Sequence, residues 1–283
     1  MNILAIETTG QEASVAIINN QGLVGEEIST QKLNHLQNLM PMVDKLLEKC
    51  RLTIDDLSLI AVSEGPGSFT GIRIGIASAR ALAQVLEIHT ISVPTLKSFA
   101  YHLPDYKGII CPIFDARRNQ VYGAAFQWGE DGSIQELVPG AAYDLEELLA
   151  RLEETEPKAK DTSKEITFFG DGIDKYREEI LAWQSSLHDA MHNSMQSSLH
   201  DAMHNSIQSS LEGPIQSSLE GSSLNDNIRV LFAEEDIMHQ KASSVAKLAY
   251  EIYTTEGATK TYLELTPVYM RKSEAERKLE KNS

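Results

Sequence analysis

Short apolar runs broken by turn residues open the chain. Residues 3–6, 13–18 and 23–28 are rich in Ile, Leu, Val and Ala and are separated by Gly, Gln and Asn, which predicts three strands in an antiparallel meander. A helix, strand, helix, strand order follows. Apolar residues recur every three or four positions from Leu33 to Cys50, residues 57–62 form a continuous apolar run that predicts a buried strand, and the Ala-rich segment 76–86 predicts a helix before a strand ending at Ile91. After Pro94 a short helical stretch precedes strand runs at 109–114 and 120–127, which begin a second meander around Asp115. The repeated order predicts two related α/β halves, 1–105 and 106–283.

The first helix carries Leu33, Leu36, Met40, Val43, Leu47 and Cys50 at alternating spacings of three and four, and Leu39 and Leu46 widen the stripe. Pro41 lacks a backbone donor and predicts a kink or the effective start of this helix. Gly75, Ala79 and Ala83, four residues apart on the second helix, form a small-residue strip that lets another helix approach. Between the buried strand and that helix lies Gly65-Pro66-Gly67-Ser68-Phe69-Thr70-Gly71-Ile72-Arg73-Ile74-Gly75. A strand, a glycine-dense turn and a helix N-terminus fit an anion site; they equally fit a tight turn that packs helix against strand. No Lys follows the last glycine, so this is not a P-loop, and the spacing is not a dinucleotide fingerprint. Glu7-Thr8-Thr9 and Asp115-Ala116-Arg117 put a carboxylate at a strand end in each half, suited either to water-mediated Mg²⁺ and proton chemistry or to closing the turn, with Asp115 paired to Arg117 or Arg118.

The string Gly65 to Gly75 resembles the signature of the TsaB (YeaZ) family. So do, in order, Ile3-Leu4-Ala5-Ile6-Glu7-Thr8-Thr9, the segment 35–47, Phe114-Asp115-Ala116-Arg117-Arg118-Asn119-Gln120-Val121-Tyr122 and Pro267-Val268-Tyr269-Met270-Arg271. The resemblance covers residues 1–128 well and thins beyond them. It implies an α/β actin, sugar-kinase and Hsp70-like (ASKHA) fold, two related halves each with a mixed sheet flanked by helices. It also implies a noncatalytic subunit of the machinery that installs threonylcarbamoyl on adenosine 37 of tRNA, one that binds and activates TsaD and helps recruit the ATPase TsaE. On that reading this chain needs no cofactor, ATP and a metal ion belong to the partner subunits, and tRNA is met only through the complex. A remnant of the nucleotide cleft maps onto Glu7, Thr8, Gly65, Gly67, Gly71 and Asp115. Thr95 and Phe99 stand where TsaD carries its metal-binding HxxxH pair, and Phe cannot coordinate a metal, so neither a metal site nor a catalytic residue is expected here. TsaB proteins pair with TsaD, and often with themselves, through the first two helices, which implies contacts by Leu36, Leu39, Met40, Val43, Leu46, Leu47, Gly75, Ile76, Ala79 and Ala83. Two other readings share the fold: an active phosphotransferase using Glu7, Asp115 and the loop 65–71, and a metallopeptidase, whose ligands the chain lacks.

Composition narrows the setting. The 283 residues, 42% hydrophobic, suffice for one large core or two modest ones. No apolar run is long enough to span a membrane and the start lacks the features of a signal peptide, so a cytoplasmic protein is expected. Cys50 and Cys111 fall within a helical and a strand pattern and read as buried thiols. Residues 1–128 carry a net charge of −2 and residues 129–283 a net of −14, so tRNA binding by the chain alone is expected to be weak. The end is locally basic, through Arg271, Lys272, Arg277, Lys278 and Lys281, and reads as a charge-mixed tail or as a contact for RNA or a partner. His188/His192 and His200/His204 have the i, i+4 spacing of a zinc clamp, but they lie in twelve-residue near-copies, 185–196 and 197–208, and tandem duplication creates such pairs without any ligand requirement. The Ser, Gln, Asn and Gly-rich stretch at about 184–225 reads as an insertion forming a mobile or partly helical excursion.

Overall fold

The computed structural model describes residues 1–29, 35–155, 164–209 and 228–270; the side chains of 35–36 and 191–209 are outside that description. The first half runs β1 (Asn2–Glu7), β2 (Ser14–Asn19), β3 (Gly22–Ile28), α1 (His35–Cys50), β4 (Leu59–Gly65), α2 (Phe69–Leu86) and β5 (His89–Pro94). A connector of α3 (Thr95–Ser98) and a 3-10 turn (Phe99–His102) leads to the second half. There β6 (Ile109–Asp115), β7 (Gln120–Trp128), β8 (Ile134–Asp144), α4 (Leu145–Glu154), β9 (Lys164–Phe169), α5 (Gly172–Ser209) and β10 (Ile228–Phe232) repeat the same order. Two short elements close the chain, α6 (Glu235–Met238) and α7 (Ala242–Glu256).

The sheets are β3-β2-β1-β4-β5 and, read in the matching direction, β8-β7-β6-β9-β10. In each, the first strand is antiparallel to the second and parallel to the fourth. This duplication within one chain is the two-half arrangement of the actin, sugar-kinase and Hsp70-like fold. The chain does not stay divided at residue 105, because α7 crosses back to the first sheet.

Strand periodicity sets the layers. In β1, Leu4 and Ile6 face α1 and α2, while Ile3 and Ala5 face α7, so the strand is buried on both sides. Each such Leu or Ile contributes roughly 1.5–3 kcal/mol by leaving water. The second sheet packs one face on α4 and α5 and the other on Leu96, Phe99 and Ala100 of the connector. The connector therefore lies between the second sheet and α7, where the Tyr101 hydroxyl donates to Glu251.

Polar groups fix the helices on these faces. Glu27 of β3 is buried and accepts from Lys45, at 2.7 Å, and Lys49, holding α1 to the sheet edge. Ser14 Oγ and Glu26 Oε1 accept from the Ala242 and Ser243 N–H groups (2.9 and 2.7 Å), capping α7 from the neighbouring strands. Lys164 Nζ donates to the carbonyls of Leu152, Glu153 and Thr155, a cation at the C-terminus of α4, and burial pulls its pKa down to about 8.

Two sequence expectations change, and the repeats are helical as far as they are described. Helix α2 begins at Phe69, with Ser68 Oγ accepting from the Gly71 N–H at 3.2 Å, so Gly71 and Gly75 are helical where a loop is expected up to residue 75. Pro41 does not start α1, which is already helical from His35. Helix α5 continues through both repeat copies to Ser209 after packing Ile173, Tyr176, Ile180, Trp183 and Leu187 against the sheet; the rest of the insertion, 210–227, lies outside the described residues, as does the basic tail from Arg271. Gln184 Nε2 donates to the Ile228 carbonyl at 3.4 Å, so the excursion leaves and re-enters the fold at neighbouring points.

His102 sits at the junction of the halves, its ring 4.7 Å from Phe99 and 5.9 Å from Phe169. Its Nδ1–H donates to the Ile237 carbonyl at 2.6 Å, while Nε2 is shut off from water with no partner. Burial lowers its pKa from 6.5 to about 4, with Lys241 and Lys247 adding to the effect. The folded chain thus binds fewer protons here than the unfolded chain, and the stability involved, about 3 kcal/mol, is present above pH 6.5 and lost as the pH falls towards 4. Urea denaturation at pH 7.5 and 5.0 is expected to show a smaller pH difference for His102→Gln than for the wild type; an equal difference contradicts this assignment. Replacing residues 189–226 by a short Gly-Ser linker is expected to leave the melting temperature within about 3 °C, read by thermal denaturation.

Candidate functional site

The glycine loop is filled by the chain itself. The Thr8 carbonyl lies 1.9 Å from where a Cβ on Gly71 would stand, and Thr8 Oγ1 lies 2.4 Å from the corresponding point on Gly75. Thr8 Oγ1 also donates to the Gly71 carbonyl (2.8 Å), and the Ser68 N–H donates to the Thr9 carbonyl (2.8 Å). Gly67 rests on Thr9 in the same way. On the other side, Gly65, at φ +116°, faces the Val268 carbonyl, 2.6 Å from a built Cβ, and its N–H donates to Thr95 Oγ1 at 3.2 Å. Any larger residue at these points pushes the β1–β2 turn or the C-terminal segment away.

That C-terminal segment is a strap. It pairs Lys260 with Thr90 beside β5, buries Leu265 in the core under α1 and α2, donates from the Val268 N–H to the Glu64 carbonyl (2.8 Å), and sets Met270 against the second sheet's core. It also stacks Tyr269 on Phe69 at 4.7 Å, while Arg73 donates to the Tyr269 hydroxyl (2.9 Å) and lies over the Phe69 ring at 4.0 Å.

The two strand-end carboxylates have different fates. Glu7 is fully buried and accepts from Thr9 N–H (2.5 Å), Thr9 Oγ1 (2.6 Å) and Ser63 Oγ; burial raises its pKa against these donors. It closes the β1–β2 turn. Asp115 is exposed, pairs with Lys175 (3.1 Å), and accepts from the Arg117 N–H (2.9 Å), while its own N–H donates to Asp171 (3.3 Å). The sequence offers Arg117 or Arg118 as the partner of Asp115; the structure gives it the Arg117 N–H and adds Lys175, which α5 brings from 60 residues away. Burial raises the pKa of Asp171, which stands at the turn after β9.

The hairpin joining Asp115 to β7 is strained. Arg117, Arg118 and Asn119 have φ of 60°, 57° and 59°, three successive left-handed residues that each cost roughly 1–2 kcal/mol, Asn least.

Thr95 is buried against the glycine loop, and Phe99 is buried among His102, Phe114 and Phe169. Among the described residues no three His, Cys, Asp or Glu side chains come together to hold a metal. His192, His200 and His204 of the repeats have side chains outside the described set.

The helix pair presents a different face from the one expected. Leu39, Val43, Leu46, Leu47, Ile76, Ala79 and Ala83 are all 5% exposed or less and belong to the chain's own core, as does buried Gly75. Met40, 37% exposed, remains accessible, and the Leu36 side chain is outside the described set. The small residues of α2 face inward because Thr8 and Val62 lie directly beneath Gly75. Facing outward is an open groove lined by Phe69, Thr70, Arg73, Ile74, Ala77, Ser78 and Ala81, extended by Val85, which is 81% exposed. A second stripe, Ile74, Ala77, Ala81 and Val85 at spacings of three, four and four, is the sequence signal for this face.

The family model described as TsaD, tRNA N6-adenosine threonylcarbamoyltransferase, matches residues 14–278. The tRNA threonylcarbamoyladenosine biosynthesis protein TsaB of Bacillus subtilis is 39% identical over 154 residues, 54% of this chain and 67% of that protein. The Escherichia coli TsaB is 37% identical over 134 residues, 47% of this chain and 58% of that protein, and a Buchnera aphidicola TsaB is 32% identical over 180 residues, 62% and 81%. The solved structure of YeaZ from Pseudomonas aeruginosa superposes with a TM-score of 0.63 at 20% identity, over 95% of this chain and 99% of that one, a likeness of fold. No helix among the described residues is long and apolar enough to cross a membrane. A duplicated α/β order, a family model that matches nearly the whole chain and curated relatives at 30–39% identity lead to one assignment: the chain belongs to the TsaB family of tRNA threonylcarbamoyladenosine biosynthesis proteins, within the wider TsaD family.

Proposed function

We propose that this chain is the noncatalytic subunit of a cytoplasmic complex that makes N6-threonylcarbamoyladenosine at position 37 of tRNA. It binds and activates TsaD through the outward face of α2 and the adjoining exposed residues of α1, and helps recruit the ATPase TsaE. ATP and the metal ion are bound by those partners, tRNA is engaged only in the complex, and a homodimer uses the same face.

The observation that carries this reading is the glycine loop. Its backbone is closed by Thr8, Thr9 and Val268, while the helix it launches exposes small and apolar residues at Ile74, Ala77, Ser78 and Ala81. Small side chains let a partner helix approach closely, and Phe69, Arg73 and Tyr269 at one end are residue types that anchor interfaces. The match of this chain to the TsaD family model supports a partner related to it, and on this proposal a helix pair from each completes a four-helix contact. The chemistry is then the partner's, and this chain contributes interface energy that orders the partner's site.

Inward and outward positions on α2 separate the contact from the core. Ala77→Arg, on the exposed face, is expected to weaken TsaD binding at least tenfold by calorimetry with the melting temperature within about 2 °C of wild type. Ala79→Arg, fully buried, is expected to cost about 3 kcal/mol or more of stability. Unchanged binding by Ala77→Arg overturns the proposed face. Reconstituted modification is expected to require this chain, TsaD and TsaE together, and activity without this chain overturns the subunit role.

A further inference from the structure

The β6–β7 hairpin tip is the most strained backbone among the described residues and one of the few places where this acidic chain presents adjacent cations. Arg117, Arg118 and Asn119 are successive left-handed residues, and all three are exposed. Glycine fits this backbone without strain, yet two of the three positions hold arginine. Strain of this kind persists where the surrounding structure enforces it and commonly marks a functional element.

Here the enforcement is visible. Asp115 accepts the Arg117 N–H and is itself held by Lys175 and, through its own N–H, by Asp171. Ala116 N–H to Gln120 O (2.9 Å) and Gln120 N–H to Arg117 O (3.2 Å) close the hairpin, and Tyr176 reaches the Gln120 carbonyl at 3.4 Å. The ion pair with Lys175 offsets the Asp115 charge beside the tip, so the guanidinium pair stands on a rigid base. It also stands at the C-terminal ends of parallel strands β6 and β9, the edge of an open sheet at which ligands collect.

We infer that Arg117 and Arg118 form a positioning contact for a backbone phosphate of the tRNA, a role that rests on the proposed place of this chain in the modification complex. Guanidinium groups are suited to phosphate, and phosphate contacts set the register of a nucleic acid rather than read its sequence. A convex, exposed tip fits phosphates on the surface of a folded RNA, whereas a free nucleotide is held in a concavity that buries most of it. The net charge of −14 over residues 129–283 opposes RNA over much of the chain, which leaves the isolated chain a weak binder.

The test uses the assembled complex of this chain with TsaD and TsaE, and an unmodified substrate tRNA, by anisotropy across a salt series. Arg118→Glu is expected to lower tRNA affinity about three- to fivefold and to reduce the salt slope by about one. Arg118→Lys is expected to retain most of the affinity. Arg118→Gly is expected to lose affinity while keeping or raising the melting temperature, since it removes charge and strain together. Assembly is followed separately by size exclusion with wild-type chain, so a failure to assemble counts against the subunit role and not against the phosphate contact. Affinity and salt slope unchanged in Arg117→Glu/Arg118→Glu overturn the inference. So does a loss confined to ATP binding, which assigns the tip to a nucleotide, or a loss confined to assembly, which assigns it to a protein partner.

Discussion

The approach of the Thr8–Thr9 turn to the start of α2 is the contact on which the rest depends. With the Thr8 carbonyl against Gly71 and its hydroxyl against Gly75, helix and strand sit closer than any side chain at those positions permits. Two interior glycines cost the helix up to about 1 kcal/mol each relative to alanine. The return is a helix seated directly on β1 and β4, with Ile72, Ile76, Ala79 and Ala83 buried below and Ile74, Ala77, Ser78 and Ala81 left above. One steric requirement thus seats the helix and leaves its outward face exposed.

Duplication supplied two equivalent strand-end sites, and they have diverged. In the first half, Glu7 is sealed among three donors and the turn beyond it supports α2. In the second, Asp115 is open, paired with a lysine from α5, and the turn beyond it is a strained basic hairpin. The difference follows from what packs above each turn. The glycine-rich start of α2 presses on Thr8 and Thr9, whereas α5 starts at Gly172, whose close neighbour is the Ile113 carbonyl on the strand rather than the hairpin tip, leaving that tip in water.

The halves are joined by more than the linker between them. The connector carries Phe99 and His102 into the second sheet's core, α7 returns to cover the first sheet, and the strap ties β5 to the glycine loop and then to the second core through Met270. Motion of one half against the other must therefore disturb buried aromatic packing and the strap together. The strap also brings Tyr269 to Arg73 and Phe69, so the groove on α2 and the junction of the halves share a mechanical connection.

Much of this was legible in the chain. Alternating runs identified the meanders because strand burial has a period of two, and the repeated order of elements announced two halves. The glycine string, with the segments 3–9, 35–47, 114–122 and 267–271, pointed to the family. Periodicity also found helices α1 and α2 but could not tell which stripe of α2 faces the sheet, because Gly75, Ala79 and Ala83 and Ile74, Ala77, Ala81 and Val85 recur at nearly the same spacing. Only the position of Thr8 and Val62 beneath α2 settles that choice. Likewise Lys175, the ion-pair partner of Asp115, lies 60 residues away, and the contact of Val268 with Gly65 joins segments 203 residues apart, separations that no local pattern encodes. The sequence by itself determined the elements and the family, because those depend on local spacing and composition; the tertiary structure decided which faces are buried and which loop is filled, because those depend on atoms brought together across the chain.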